Sequence, residues 1–315
     1  MSTPTTTTPT AEDLFRLTDD GAGGSVQTAK RRLKFRLRYL LCRSYLEQVR
    51  NFFTSHDLQA LTHEELPLML RPMRSYLWRG LNVAERTQAQ LAFFNWFIQR
   101  CGADAIQAFY KCNGFELFSQ TYPEGCIRVV LIPARALGRE GELEMHLKLN
   151  EVSVMKTSFT VLPATFLGEA GDGWVMVIGN MQGQRSAHQE IKIVTQKMER
   201  TRPQNILMTA LQGLASGWEL SGIAGVTDSA HVYAGYRSLS QRVGQSYDAL
   251  WEELGFTRST SKTHWACPVQ WVARSEQEVP SNKRSQLRRK NEIRQRIFDQ
   301  VAHNSAGLQT LHCSS

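Results

Sequence analysis

The chain has 315 residues, of which 42% are hydrophobic, and it includes 14 Phe, 7 Trp and 8 Tyr. This apolar content is sufficient for one large or two small folded domains and excludes a disordered protein. The formal net charge of +8 favours acidic partners such as phosphate groups, nucleic acid or an anionic membrane surface. No stretch approaches the roughly 18 apolar residues of a membrane-spanning helix, and the N-terminus lacks the apolar core of a secretion signal. We therefore expect a cytoplasmic protein.

The spacing of cysteine and histidine predicts neither disulfides nor a metal site. The six cysteines include no CxxC pair, and the eight histidines form no HxxxH or HExxH pattern. Closely spaced pairs of this kind are typical of zinc sites, and secreted disulfide-rich domains are much shorter than this chain. We expect reduced thiols and no bound metal.

A tail and a basic helix are predicted at the N-terminus. Residues 1–28 are rich in Thr, Pro, Gly and acidic residues without apolar periodicity, which predicts a disordered tail. From Ala29 the pattern predicts an amphipathic helix with leucines on one face and cations on another. These faces comprise Leu33, Leu37, Leu40 and Leu41, and Lys30, Arg31, Lys34 and Arg38. Two interpretations stay open, because the leucines can pack on the domain or can attach the helix to anionic lipid or to a partner protein.

Further helices are predicted over residues 63–77, 82–101 and 103–118, which completes a helical N-terminal region over residues 29–120.

The pattern then changes to alternating or continuous apolar runs broken by Gly, Pro and Asn, which predicts strands. The predicted strands are residues 126–133, 141–150, 151–163 and 173–181. A hairpin turn at Asn150 and Glu151 would join the second and third strands, so a meander of antiparallel strands is expected.

Helices alternate with strands in the C-terminal part. Helices are predicted over residues 186–200 and from Pro203 to 218, followed by a strand at 222–228 and a helix that starts near Ala230. A helix over 247–256, a strand over 264–273 and a basic helix over 281–301, capped by Ser281, complete the pattern. The predicted fold class is α/β (α+β), with a mixed, mainly antiparallel sheet and flanking helices over residues 121–302. Residues 303–315 are predicted to be a flexible tail.

Several motifs resemble those of the VirK/YbjX family of bacterial proteins. They are GLNVAERTQAQ, GELEMHLKLN, VIGNMQG, TRPQNILMTAL, GVTDSAHVY, YDALWEELG and VPSNKRSQLRRK. The resemblance covers nearly everything from residue 30 to residue 301. It implies a cytoplasmic bacterial protein linked to virulence and to envelope or antimicrobial-peptide tolerance. The family often has Asn where this chain has Asp228, and this departure weakens any role that requires an amide at the position.

The C-terminal half also resembles the core of GNAT-type N-acyltransferases. The similar pattern is strand VMVIG, turn NMQGQRSA, helix HQEIKIVTQKM, strand GIAGV, and then a helix ending in LGF. In that fold a separated strand pair and the turn before the helix receive the pantetheine and pyrophosphate of an acyl-coenzyme A. The resemblance therefore implies that acyl-coenzyme A is bound by the turn residues Gln182, Gly183, Gln184, Arg185 and Ser186.

The physical basis for this site is general, because free N–H groups at a helix N-terminus bind phosphate and a glycine allows close approach. The turn of the GNAT fold normally carries more than one glycine, whereas residues 182–187 of this chain contain only Gly183. The alternative is an ordinary strand-to-helix turn, in which Ser186 caps the helix and Arg185 lies in solvent.

Polar residues also cluster at the end of the predicted strand 222–228, which is the edge where open α/β sheets place ligands. His231 is a candidate general base or acid near neutral pH, with Asp228 or Ser229 orienting it or holding the substrate. In acyl transfer His231 would deprotonate an acceptor amine or hydroxyl. The alternative is structural, because Asp228 or Ser229 can cap the following helix.

Two functions are therefore carried forward. The first is an acyl-coenzyme A-dependent acyltransferase with an envelope-related or protein acceptor. The second is a non-enzymatic adaptor, whose two basic helices dock it to anionic membrane or protein partners at the periphery of the inner membrane. A nucleic-acid partner is not expected, because no binding motif accompanies the basic helices and no aromatic residues are interleaved with their charges.

Overall fold

A computed structural model describes residues 9–17, 25–112, 114–135, 138–169, 171–234 and 246–310. Its helices precede, flank and follow a single sheet. In chain order the helices of this part of the chain are α1 (Ala11–Arg16), α2 (Ser25–Leu41), α3 (Arg43–Ser55), α4 (Leu61–Glu64), α5 (Val83–Cys101), α6 (Ala103–Lys111), α7 (His188–Lys197), α8 (Pro203–Gly217), α9 (Tyr247–Glu253) and α10 (Ser281–Ala306). None of the helices in these ranges is long and apolar enough to cross a membrane.

The sheet is mixed and mainly antiparallel, as predicted. Its strands in the described residues are β1 (Phe115–Tyr122), β2 (Gly125–Pro133), β3 (Leu143–Leu149), β4 (Val152–Pro163), β5 (Trp174–Gly183), β6 (Gly222–Val226), β7 (Thr257–Arg258) and β8 (His264–Cys267). They lie in the order β1-β2-β3-β4-β5-β6-β8-β7. Neighbouring strands are antiparallel except β5 and β6, which run parallel and are connected through α7 and α8. The predicted fold class is therefore confirmed.

Local sequence features explain where several elements begin and end. Asn82 caps α5 through a capping box with Glu85, and Pro203 starts α8 as predicted. Asn150, at the hairpin between β3 and β4, has the positive φ of 52° that Asn tolerates. The predicted cap at Ser281 is wrong, because α10 begins at Ser281 and the preceding Pro280 is its N-terminal cap residue.

Other predicted boundaries differ from the structure. The helix predicted over residues 103–118 ends at Lys111, because Gly114 has a φ of 118° and the next eight residues pair with β2 as strand β1. Residues 63–77 form only short turns, including a 3-10 turn at Leu66–Leu70, since Pro67 and Pro72 interrupt the hydrogen bonding of a longer helix. A short helix, α1, lies within the segment predicted as a tail, and α10 continues past residue 303 to Ala306.

The core lies between the sheet and helices α5, α6, α8 and α10. Aromatic residues dominate its centre, where Trp96 of α5 contacts Trp218 with ring centroids 5.1 Å apart. Helices α8 and α10 approach closely, because a Cβ at Gly213 would lie 2.6 Å from the carbonyl oxygen of Phe298. The C-terminal basic helix is therefore anchored by its buried Ile297 and its neighbours, and most of its cations remain on the surface.

A buried ion pair connects the N-terminal helical region to the sheet. Arg71 donates to Glu142 through Nε (3.0 Å to Oε1) and Nη2 (3.1 Å to Oε2), and the Tyr76 hydroxyl donates to the same Oε1 at 2.5 Å. Both charged side chains are inaccessible to solvent. The guanidinium also packs on Gly138, where a Cβ would lie 1.9 Å from Arg71 Nη2. The pair therefore determines the path of residues 138–142.

We predict that Glu142→Gln lowers the free energy of unfolding by about 3–5 kcal/mol, because it leaves a buried guanidinium without its counter-charge. The matched control is Glu47→Gln, which breaks the exposed pair between Arg43 and Glu47 on α3 and is expected to cost no more than about 0.5 kcal/mol. Urea unfolding followed by circular dichroism measures both. Equal losses in the two variants would contradict the role assigned to the buried pair.

Candidate functional site

The parallel strands β5 and β6 separate towards their carboxyl ends. They pair from Val175 and Gly222 to Ile178 and Gly225, after which β6 ends while β5 continues to Gly183 beside β4. The pairing of β4 with β5 shifts at the same point, so that one residue, Gly179, bulges out of the ladder. The separation leaves room beside β5 for side chains from other parts of the chain.

Glu140 enters this space from the segment 138–142. A Cβ at Gly179 would lie 2.0 Å from the carbonyl oxygen of Glu140, so only glycine permits this approach. Asn180 donates from Nδ2 to Glu140 Oε2 at 2.5 Å, and its own Oδ1 accepts from the backbone N–H of Ser158 at 3.1 Å. The bulge and the asparagine therefore place the Glu140 carboxylate at the separation of the two strands.

His231 lies directly beside this carboxylate. Its Nε2 is 3.0 Å from Glu140 Oε1, within ion-pair distance, although the two atoms are not aligned as in a normal hydrogen bond. The backbone N–H of Tyr233 donates to Nδ1 at 3.4 Å, which assigns the ring proton to Nε2, facing Glu140. The imidazole is buried, and an isolated bridge to Trp78 holds its backbone.

Tyr247, the first residue of α9, completes the cluster. Its ring stacks on His231 with centroids 4.9 Å apart, and its hydroxyl accepts a hydrogen bond from Gln182 Nε2 at 3.1 Å. Burial, and then the charge of Glu140, raise the pKa of the Tyr247 phenol well above its usual range. The hydroxyl is therefore protonated at neutral pH and faces the end of β5.

The other two predicted catalytic residues have different neighbours. Asp228 accepts hydrogen bonds from the Ser246 hydroxyl (2.5 Å) and from the backbone N–H of Tyr247 (2.7 Å), so it satisfies donors at the N-terminus of α9. The Ser229 side chain is exposed and shares a 3.2 Å hydrogen bond with the Thr227 hydroxyl. Asp228 thus holds α9, and with it Tyr247, in position. The helix predicted to start near Ala230 does not begin there, because residues 230–234 form turns with a bridge at His231, and residues 235–245 lie outside the described residues.

The predicted phosphate-binding turn lies at the C-terminal end of β5. Gln182 is part of β5 and turns its amide to Tyr247, and Gly183 is the last residue of the strand. A Cβ at Gly183 would meet nothing closer than 3.7 Å, so packing does not require glycine there. Gln184 donates its backbone N–H to Val154 and its side-chain amide to Ser186, which fixes the turn.

Helix α7 begins after this turn without a side-chain cap. Its cap residue is Ala187, so the alternative in which Ser186 caps the helix is wrong. The side chains of Arg185 and Ser186 are exposed. Ala187 offers no side-chain cap to the first turn of α7, whose N–H groups carry the partial positive charge of a helix N-terminus. This end of the helix would attract an anion through these N–H groups and Arg185, while the carboxylate of Glu190 in the first turn would repel one.

Glu140 and Tyr247 were not predicted from the sequence. Tyr247 begins the motif YDALWEELG, which predicts a helix and carries the family resemblance but marks no site residue, and Glu140 lies in a stretch without a recognisable pattern. The proximity of Glu140 and His231 depends on the ion pair of Arg71 and Glu142, a long-range contact that no local pattern contains. In the part of the chain that the structure describes, no group of three His, Cys, Asp or Glu side chains is arranged to hold a metal ion.

These features define a mixed α/β protein with a polar cluster where its parallel strands separate. Residues 24–305 match the family described as "Protein of unknown function (DUF535)", and the chain belongs to that family. It is also 24% identical to the uncharacterized protein YbjX of Escherichia coli (strain K12) over 279 residues, which cover 86% of this chain and 82% of the relative. The predicted membership of the VirK/YbjX family is confirmed. No solved structure matches the chain.

We predict that Asp228→Ala lowers the free energy of unfolding by about 1–2 kcal/mol, the usual effect of losing a side chain that satisfies the first N–H groups of a helix. The control is Ser229→Ala at the neighbouring exposed position, where a change within about 0.5 kcal/mol is expected. Thermal and urea unfolding measure the difference. Unchanged stability in Asp228→Ala would contradict the helix-positioning role.

Proposed function

We propose that the protein transfers an acyl group from an acyl-coenzyme A thioester to an amine or hydroxyl of an acceptor. The observation that carries this proposal is the convergence of a carboxylate, an imidazole and a protonated phenol where β5 and β6 separate. His231 contacts both other groups there, because its Nε2 lies 3.0 Å from Glu140 Oε1 and its ring stacks on that of Tyr247. A separated parallel pair followed by a turn and a helix is also the feature by which the GNAT fold receives its thioester.

Glu140 is the general base in this proposal, and His231 positions it. The side chain of Glu140 is 17% exposed, whereas His231 and Tyr247 are buried, so the carboxylate is the member of the cluster that an acceptor meets first. The contacts from His231 and Asn180 hold the carboxylate in one orientation. A positioned base of this kind typically contributes about 10²–10⁴-fold to a proton-transfer step.

Tyr247 is the general acid. The acceptor nitrogen or oxygen attacks the thioester carbonyl carbon, a C–N or C–O bond forms, and the C–S bond breaks. Glu140 takes the proton of the acceptor, and the Tyr247 hydroxyl gives a proton to the leaving coenzyme A thiolate. Solvent exchange after product release returns one proton from Glu140 to Tyr247, so the products are the acylated acceptor and free coenzyme A. Burial keeps the phenol in its protonated form at neutral pH, so a proton is available at this position.

The pyrophosphate of the donor would bind at the start of α7. The first N–H groups of this ten-residue helix have no side-chain cap, and the exposed Arg185 adds a positive charge beside them. Gln182 lies between this turn and Tyr247, so the pantetheine would run along the free side of β5 from the turn to the cluster.

The acceptor in this proposal is an envelope-related molecule or a protein, in keeping with the roles that the VirK/YbjX resemblance implies. The reaction takes place in the cytoplasm beside the inner membrane.

A second candidate, the non-enzymatic adaptor, is favoured by a different observation. The leucines of α2 do not pack on the domain, because Leu33, Leu37, Leu40 and Leu41 are exposed. An apolar face that remains in solvent beside cations is suited to an interface. The two candidates differ in whether a thioester binds at the start of α7, and the following measurement separates them.

We predict that coenzyme A, acetyl-coenzyme A or a long-chain acyl-coenzyme A raises the midpoint of thermal unfolding in a saturable way. A ligand at a hundredfold excess over its Kd stabilises the folded state by about 2.7 kcal/mol, or roughly 5 °C for a chain of this size. Arg185→Glu should abolish the shift. Lys192→Glu, the same charge change at an exposed position later in α7, is the matched control and should retain it.

A further variant separates binding from chemistry. Tyr247→Phe should keep the thermal shift, while the slow hydrolysis of the bound thioester by water, measured as free coenzyme A, should fall by about 10²-fold. Absence of a shift with every thioester would falsify the acyltransferase proposal and leave the adaptor as the better account.

A further inference from the structure

A cavity lined by cations lies between α2, the segment 72–75, the start of α5 and the segment that leads to Glu140. Its volume is about 610 Å³, within the usual range for ligand sites. None of the described residues that line it is Asp or Glu. Six carry a positive charge: Arg31, Lys34, Arg38, Arg74, Arg86 and Arg139. A lining with this excess of positive charge favours an anionic occupant.

Two of these arginines are held in place without a carboxylate partner. The guanidinium of Arg86 donates to the backbone carbonyls of Arg74 and Asn82. The half-buried Arg74 has a buried Nη1 that lacks a hydrogen-bond partner among the described residues. Burial, followed by the charges of Arg139 and Arg38, lowers the pKa of Arg74 to about 10. Because the cations repel one another, an anion with several oxygen acceptors would relieve an existing electrostatic cost.

The surroundings of the cavity are apolar as well as cationic. Leu41 lines the cavity and is 82% exposed, and on the outer side of α2 Leu33, Leu37 and Leu40 are 60%, 54% and 62% exposed. A free phosphate or a nucleotide would leave these leucines in water. An amphiphile with a phosphate headgroup would contact both the cations and the leucines.

We propose that α2 lies on an anionic bilayer and that the cationic cavity binds the phosphate headgroup of one phospholipid. The leucines of α2 enter the boundary between headgroups and acyl chains, and Lys34, Arg38 and the deeper arginines contact the phosphate oxygens. This inference deepens the membrane-docking part of the second candidate function and rests on none of the acyl-transfer steps, because it concerns a different cavity and is measured by binding alone.

The test is sedimentation of the full-length protein with vesicles made of equal parts phosphatidylglycerol and phosphatidylcholine, compared with pure phosphatidylcholine vesicles. Binding is expected only to the anionic vesicles and should weaken as salt rises above about 0.1 M. Replacing both exposed cations, in Lys34→Gln with Arg38→Gln, should weaken binding by roughly 25-fold. Replacing two exposed leucines, in Leu37→Ser with Leu40→Ser, should weaken it by at least about tenfold.

The matched control carries the same loss of charge on the other basic helix, in Lys283→Gln with Arg284→Gln, both exposed on α10. Its vesicle binding should equal that of the unmodified protein. Loss of binding as large as that in the α2 variant would overturn the proposal, because attraction would then follow net charge alone. Failure of the unmodified protein to bind anionic vesicles would overturn it as well.

The cavity itself is tested by calorimetry with two soluble ligands: a short-chain phosphatidylglycerol and glycerol phosphate. The lipid should bind at one saturable site that is lost in Arg139→Gln, with circular dichroism confirming that the variant is folded. The exposed pair Lys34→Gln with Arg38→Gln provides a second variant that does not endanger folding. If glycerol phosphate binds as tightly as the lipid and the leucine variant binds both normally, the ligand is a soluble phosphate and the lipid proposal is wrong.

Discussion

The ion pair between Arg71 and Glu142 is the contact on which the arrangement of this protein depends. Both groups are removed from water, so their separate desolvation would be very costly, and their two mutual hydrogen bonds with the added hydroxyl of Tyr76 offset it. The pair contributes more to the relative position of the two chain segments that it joins than to the stability of the folded protein. It connects the turns after α4 to the segment before β3, and the packing of the guanidinium on Gly138 leaves that segment one path. The consequence of that path is the placement of Arg139 and Glu140, which follow Gly138 in the chain.

These two neighbouring residues face different regions of the molecule. Arg139 lines the cationic cavity beside α2, and its guanidinium lies over the ring of Tyr233 at 5.6 Å. Glu140 enters the separation of β5 and β6 and contacts His231. The cationic cavity and the polar cluster are therefore connected through one short segment of the chain.

The polar cluster also shows how a hydrophobic fold accommodates charged groups. Helix α8 and the central strands supply a nearly continuous apolar core. The carboxylate, imidazole and phenol are restricted to the edge where the ladder between β5 and β6 ends and backbone pairing is already interrupted. Gly179 makes this possible, because a side chain there would collide with the carbonyl of Glu140. Asp228 completes the arrangement by fixing the start of α9, so that the Tyr247 ring stacks on His231.

The sequence by itself determined the family, the mixed fold class, the meander of strands and helices such as α5 and α8. The reason is that periodicity, caps and turn residues such as Asn82, Asn150 and Pro203 act over a few neighbouring positions. It also indicated the edge of the sheet that carries His231, because strand ends are local features. Only the tertiary structure decided that the leucines of α2 are exposed to solvent, that Asp228 accepts hydrogen bonds at the start of α9, and that His231 contacts Glu140 and Tyr247. These outcomes depend on contacts between residues far apart in the chain. Burial and the ion pair of Arg71 and Glu142 determine which residues meet, and no local sequence pattern contains that information.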